Sequence, residues 1–332
     1  MKNTFLYQLV LIFSTLTLSL SSSFGQTPVD ALLMPKGTAC AVVQHSSSSW
    51  ENYWEGTLKR DNGNIGKFTM QSTAVMGAVG ILSNRFNLIA MLPYISTSAT
   101  AGTMAGQKGI QDLSVWGKYK IAEVQTKNGA FAVFGVLGAS SPLTSYVPDM
   151  QPFSIGLGAK SASGKVILNY TANSGIYLTT HAGLTSRANI KIDRTSYQYD
   201  GNLINSNEVA LPDYIEMSAR LGFINSRFQT EIWTDVMRSN TGDDIRRQDM
   251  PFPTNKMEAS SIGWMGKYTV GSVSLQANLS KVIAGRNFGE NTGFALALLF
   301  TIPKVNNNQR CPARPIAPGQ KVVPMDHGDM KH

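Results

Sequence analysis

Gly109-Ile110-Gln111-Asp112-Leu113-Ser114-Val115-Trp116-Gly117-Lys118-Tyr119-Lys120-Ile121 decides how the chain is read. From Asp112 onward it alternates without a break. Asp112, Ser114, Trp116, Lys118 and Lys120 share one face, and Leu113, Val115, Gly117, Tyr119 and Ile121 share the other. A strand turns successive side chains to opposite faces, so this segment has one polar, charged face and one apolar face. Two settings fit it. In a soluble sheet the apolar face meets a core; in a membrane barrel it meets lipid while the polar face lines the lumen.

The same pattern recurs along the chain. Strands are expected at 50–59, 66–81, 85–97, 109–123, 130–139, 153–160, 175–187, 213–223, 227–237, 261–270, 273–282 and 292–302. The segment 130–139 is apolar on both faces. The sharpest case, 227–237, sets Phe228, Ile232 and Val236 against Gln229, Glu231 and Asp235. That makes about twelve strands, an even number as bacterial single-chain barrels have. The third, fifth, seventh, ninth and eleventh connections hold the loops rich in Gly, Asp, Asn and Ser. The second, eighth and tenth are turns of about two residues. Two connections break the alternation: the first is short, and the sixth, 161–174, is long and irregular. Long loops on one side and short turns on the other imply an all-β, transmembrane, antiparallel up-and-down β-barrel. Both termini then fall on the short-turn, periplasmic side.

A soluble sandwich would alternate in the same way. Several apolar sets end in aromatics, Trp54, Tyr94, Tyr119, Tyr214 and Tyr268. Such rings suit membrane interfaces, and in a sandwich they would be core. Crossing as a helix is a poor reading even of 86–106, which has no charge but carries Pro93, Gly102 and many Ser and Thr residues.

The opening of the chain points to export. Lys2 precedes an apolar run from Phe5 to Leu20, and small residues lead up to Gln26. That is the form of a secretory signal peptide over 1–25. The expected order continues with a periplasmic N-terminal segment, 26–49, the barrel, 50–302, and a Pro-rich periplasmic tail, 303–332, that is extended or disordered. The formal net charge is +8. Export and the lack of basic residues interleaved with aromatics exclude nucleic acid as a partner. Cys40 and Cys311 are the two cysteines, and in an exported chain they suit one disulfide tying the two ends together.

No constellation carries catalysis. His181 falls on a polar strand face, and Glu231 and Asp235 lie four apart on a strand, roughly 13 Å along it and too far for a retaining glycosidase pair. The expected lumen-lining residues are Asp112, Lys118, His181, Glu216, Arg220, Gln229, Glu231 and Asp235, with ion pairs among the charged ones. No cofactor is implied there. The tail ends Met325-Asp326-His327-Gly328-Asp329-Met330-Lys331-His332. Thioether and imidazole together suit copper, so Met325, His327, Met330 and His332 form a candidate copper site.

Arg85-Phe86-Asn87-Leu88-Ile89-Ala90-Met91-Leu92-Pro93-Tyr94, a Gly-rich loop, then Gly109-Ile110-Gln111-Asp112-Leu113 and Lys118-Tyr119 resembles the outer-membrane β-barrel family named for the meta-pathway of phenol degradation. Its members carry a strand ending in Pro-Tyr, a Gly-rich loop, and a Gly-x-Gly-Asp-Leu strand ending in Lys-Tyr. Gln111 stands where the family usually has Gly. The resemblance implies a transporter-type barrel akin to fatty-acid and aromatic-hydrocarbon channels. The expectation is therefore a non-enzymatic channel for small hydrophobic or aromatic solutes, with outer-membrane lipid and the barrel assembly machinery as partners. The alternative is a structural or metal-handling envelope protein whose tail binds copper.

Overall fold

The structure, a computed structural model, describes residues 27–247 and 249–302. Among them twelve long strands close one antiparallel barrel: β1 (Ala39–Trp50), β2 (Phe68–Gly80), β3 (Phe86–Ala99), β4 (Asp112–Thr126), β5 (Gly129–Pro142), β6 (Ser161–Ala172), β7 (Ile176–Arg187), β8 (Tyr214–Ile224), β9 (Phe228–Ser239), β10 (Glu258–Val270), β11 (Val273–Arg286) and β12 (Thr292–Ile302). Each strand pairs with the next, and β12 pairs with β1 from Ile302 opposite Ala39 to Thr292 opposite Ser49. Closure leaves no free edge, and every ladder is satisfied within the wall.

Alternation sets the two faces. Ile232, Leu296, Leu298 and Phe228 are exposed on the outside, Ile232 at 61% and Leu296 at 51%. Gln229, Glu231, Lys118 and His181 are buried on the inside. An apolar exterior around a polar interior is the reverse of a soluble fold, so the sandwich alternative falls. Of the five aromatics expected at membrane interfaces, Tyr94, Tyr119 and Tyr268 are exposed on the outer wall. Trp54 is not there. It is buried against Ala259 and Val282 in a short hairpin, Asn52–Glu55 with Leu58–Asp61, at the long-loop end. Tyr214 lies under the Arg187 guanidinium, 4.5 Å from its ring centre.

Two strands lie elsewhere than expected. The barrel begins at Ala39 rather than Trp50, so its extent is 39–302 rather than 50–302, and 50–59 leaves the wall as that hairpin. The run Ser46-Ser47-Ser48-Ser49 has no apolar signal, but ladders to β2 and β12 on either side hold it as strand. Likewise 161–174 is not irregular: Ser161–Ala172 is β6, and 153–160 is a connection. Both corrections repair the loop pattern. The long loops, 51–67, 100–111, 143–160, 188–213 and 240–257, now all fall on odd connections and the even ones are turns of two to five residues, while the eleventh, 287–291, is as short as the second, 81–85. The long polar loop expected at 191–211 also carries a core, where Ile190, Ile192, Val209 and Leu211 pack together.

The described part of the segment expected in the periplasm, 27–37, instead folds into the lumen at the short-turn end. Cys40, expected some ten residues outside the first strand, is the second residue of β1, is buried on the inner wall and has no disulfide partner among the described residues. Its expected partner Cys311, the signal segment 1–25 and the copper candidates Met325, His327, Met330 and His332 lie outside the described residues.

Candidate functional site in the barrel lumen

Alternation alone aims Asp112, Lys118, His181, Glu216, Arg220, Gln229, Glu231 and Asp235 inward, and their neighbours on the wall decide what each meets. On β8 and β9, Arg220 donates to Glu231 at 2.9 Å and to Asp235 at 3.5 Å. The Tyr177 hydroxyl on β7 donates to the second Glu231 oxygen at 2.6 Å and accepts from Gln229 at 3.0 Å. Tyr177 reaches Glu231 across Gly222, where an added Cβ would sit 2.5 Å from the Tyr177 ring. Gly183 serves Lys165 and Glu216 in the same way. It lies between them in register, a Cβ there would meet Lys165 Cγ at 2.8 Å, and the two charged groups pair over it. The missing side chains let ion pairs span three strands, so these charges are met within the lumen and present little net field.

His181 faces Ser218 across the β7–β8 ladder. His181 Nδ1, Ser218 Oγ and Gln229 Oε1 are buried without a hydrogen-bond partner among the described residues. They give the lumen spare donors and acceptors beside the ion-pair band. Next to that band lies a cavity of about 410 Å³, lined by Arg220, Glu231, Trp233, Gln276, Asn278 and Ser48 and, below them, by Thr27 and Asp30.

Lys118 is wholly buried, at 0% exposure. Its partner is not a barrel carboxylate. Nζ donates to Thr27 O at 2.7 Å, to Asp30 O at 3.0 Å and to Asp30 Oδ1 at 2.7 Å, all in the N-terminal segment. Asn87 on β3 clasps the same segment, accepting from Met34 N at 3.1 Å and donating to Met34 O at 3.2 Å. Ala31 and Leu33 pack on Ala132, Phe134, Val136 and Ile167, and Trp116 joins that cluster. The two-sided apolarity of β5 thereby has its reason: the outer side meets lipid, and the inner side seats the segment.

At the long-loop end the connection 143–160 packs against β2 and β3. Phe153 is buried edge-on against Phe68, ring centres 5.7 Å apart, and Thr97 donates to its carbonyl at 2.7 Å. The Tyr146 hydroxyl donates to Asp112 Oδ1 at 2.6 Å and accepts from Gly158 N at 3.0 Å. Burial, aided by the Asp112 carboxylate, pushes the Tyr146 phenol above its ordinary range and keeps it a donor. Asp112 thus anchors this loop from the inner wall, and the alternating Phe153, Ile155 and Leu157 belong to the loop rather than to a strand, with Phe153 and Ile155 buried. Asp30, Asn87, Lys165 and Tyr177 are site residues missed in the sequence. Asp30 is the one acid between Gln26 and Trp50 and heads an apolar run, Ala31-Leu32-Leu33-Met34, which was the available signal. Lys165 follows once 161–172 is read as a strand.

A family model described as "Putative MetA-pathway of phenol degradation" matches residues 63–298. The crystal structure of an outer membrane channel from Pseudomonas putida F1 shares the fold. It is 13% identical, covers 84% of this chain and 100% of its own, and superposes with a TM-score of 0.68. The NanC porin is 10% identical, covers 77% of this chain and 98% of its own, and reaches a TM-score of 0.44. No curated protein matches the chain in sequence.

Proposed function

We propose, since the chain belongs to this MetA-pathway phenol-degradation family, that it is a non-enzymatic outer-membrane channel for small hydrophobic or aromatic solutes. The observation that carries the reading is an apolar stripe on the inner wall beside the charged band of the lumen. Phe134 and Val136 of β5, Ile167 of β6 and Trp116 of β4 form a surface there that a hydrophobic solute can wet and a salt ion cannot. The N-terminal segment on that stripe is the resting closure. Both termini belong to the periplasm in this reading, supported by the short turns at the end where β1 starts and β12 stops.

Single-channel recording in planar bilayers tests it, using the full chain and a variant lacking residues 27–34. The expected result is little conductance for the full chain and discrete steps for the variant, with aromatic solutes such as toluene interrupting the current. A folded variant that passes neither ions nor aromatic solute would overturn the channel reading.

A further inference from the structure

The segment that closes the lumen carries a carboxylate followed at once by apolar side chains, and the wall beneath it has the matching chemistry. The three donors of the Lys118 ammonium all end on Thr27 and Asp30. The barrel itself offers no carboxylate in their place. In register Lys118 lies between Asn87 on β3 and Val136 on β5, and on its own strand the flanking inward residues are Trp116 and Lys120. Lys120 has its own partner in Glu123. A second buried lysine, Lys267 on β10, also faces inward and makes no ion pair among the described residues. Around Lys118 the wall turns apolar, with Trp116, Phe134, Val136 and Ile167 receiving Ala31 and Leu33. The segment joins no β-ladder before Ala39, so leaving the lumen breaks side-chain contacts and no strand pairing.

We propose that this patch is a ligand site for a solute made of one carboxylate and an apolar body, aromatic or aliphatic, and that Asp30-Ala31-Leu32-Leu33 occupies it as a tethered stand-in. The inference rests on the channel reading and names the class of its solute. A wholly buried ammonium left without an acceptor is strongly disfavoured. A solute carboxylate replacing Asp30 restores the pair, and its body replaces Ala31 and Leu33 on the stripe. A neutral solute of the same shape fills the stripe and leaves Lys118 unpaired. The exchange is carboxylate for carboxylate, with the tether giving Asp30 the advantage of high local concentration. The site thus excludes weak binders at rest and yields to an abundant amphipathic acid.

The test compares 3-phenylpropionate with 3-phenylpropanol, an acid and an alcohol of nearly one shape. Flux into proteoliposomes and calorimetric binding in detergent are measured for the full chain, for a chain lacking residues 27–34, and for Lys118→Met and Lys118→Arg in that shortened chain. Heat-dependent gel mobility reports that each barrel is closed. Removing the segment should raise acid flux and binding by roughly ten- to hundredfold, the range for a charge-assisted hydrogen bond. Lys118→Met should collapse the acid-over-alcohol ratio, and Lys118→Arg should keep most of it. Equal binding of acid and alcohol by the shortened chain, or a preference that survives Lys118→Met, would refute the site. Acid binding without flux of either compound would uphold the site and sink the channel reading, so the two failures are distinguishable.

Discussion

Trp116 shows how single residues shape this lumen. It points inward from β4 opposite Gly138 on β5, and a Cβ added at Gly138 would sit 2.2 Å from Trp116 Cδ1 and 2.6 Å from Ser163 Oγ. The glycine lets the indole lie against the wall, where it completes the apolar stripe. Gly138→Val should cost about 1–3 kcal/mol by overpacking and swing the ring off the stripe. The check is a lower urea midpoint together with a red-shifted tryptophan emission; an unchanged midpoint and spectrum would mean that the ring has room elsewhere. Lys118 makes the complementary case. Losing Asp30 strands a buried charge, so Asp30→Asn should destabilise by roughly 3–5 kcal/mol unless the segment leaves and water enters. Susceptibility of the N-terminal segment to protease, with the barrel intact, identifies the second outcome. Alternation in the sequence placed Lys118 inside. It did not place Asp30, because the stretch around that carboxylate has no alternation and only the apolar run after it marks the segment.

At the scale of elements, strands with strong two-face contrast were legible, as was β5 with its two apolar faces, while the Ser- and Gly-rich β1 and β6 were not. β9 and β12 follow from Phe228, Ile232, Leu296 and Phe300 alone. β1 and β6 did not, because Ser46–Ser49 and Ser161–Gly164 carry little side-chain signal and are held by the ladders beside them. Those ladders are long-range, and no local window contains them. Outward positions such as Ile232 yield a direct test: Ile232→Arg puts a charge on the lipid face and should cost roughly 2–4 kcal/mol if it lies near the bilayer midplane, measured as loss of folded barrel in liposomes. The connections behave differently. Asp244 pairs with Arg286 at 2.6 Å, and Glu290 with Lys59 at 2.8 Å. The Arg286 hydrogen bond holds the Asp244 carboxyl below its usual range, and the Lys59 hydrogen bond does so for Glu290. A depressed folded pKa means stabilisation that is present above the unfolded value, near 4, and lost as pH falls through the folded value. Hydrogen exchange in 240–257 and 287–291 should therefore be indifferent to pH, after correction for intrinsic rates, from neutrality down to about 5. It should quicken only below the ordinary carboxylate range, while the β-ladders stay protected. Quickening already near pH 6 would point to histidine instead.

For the whole molecule, closure is the decisive event, and it depends on the first and last strands meeting. The ladder between β1 and β12 runs from Ala39–Ile302 to Ser49–Thr292. A chain stopped at Asn291 lacks β12, leaving β1 and β11 as open edges in a sheet whose outer face is apolar. It should aggregate and show no heat-dependent gel mobility. A chain stopped at Ile302 keeps every pair of the ladder, so it should fold and insert as the full chain does. That second variant also isolates the residues beyond the barrel. If Met325, His327, Met330 and His332 hold copper, the full chain should bind it and the variant ending at Ile302 should not. Binding should weaken as pH drops below about 6.5, where imidazole protonates. Equal copper binding by the two would move the metal to the barrel or its loops. Binding by neither at micromolar metal would leave the tail no part in metal handling, with the lumen and its tethered carboxylate carrying the function.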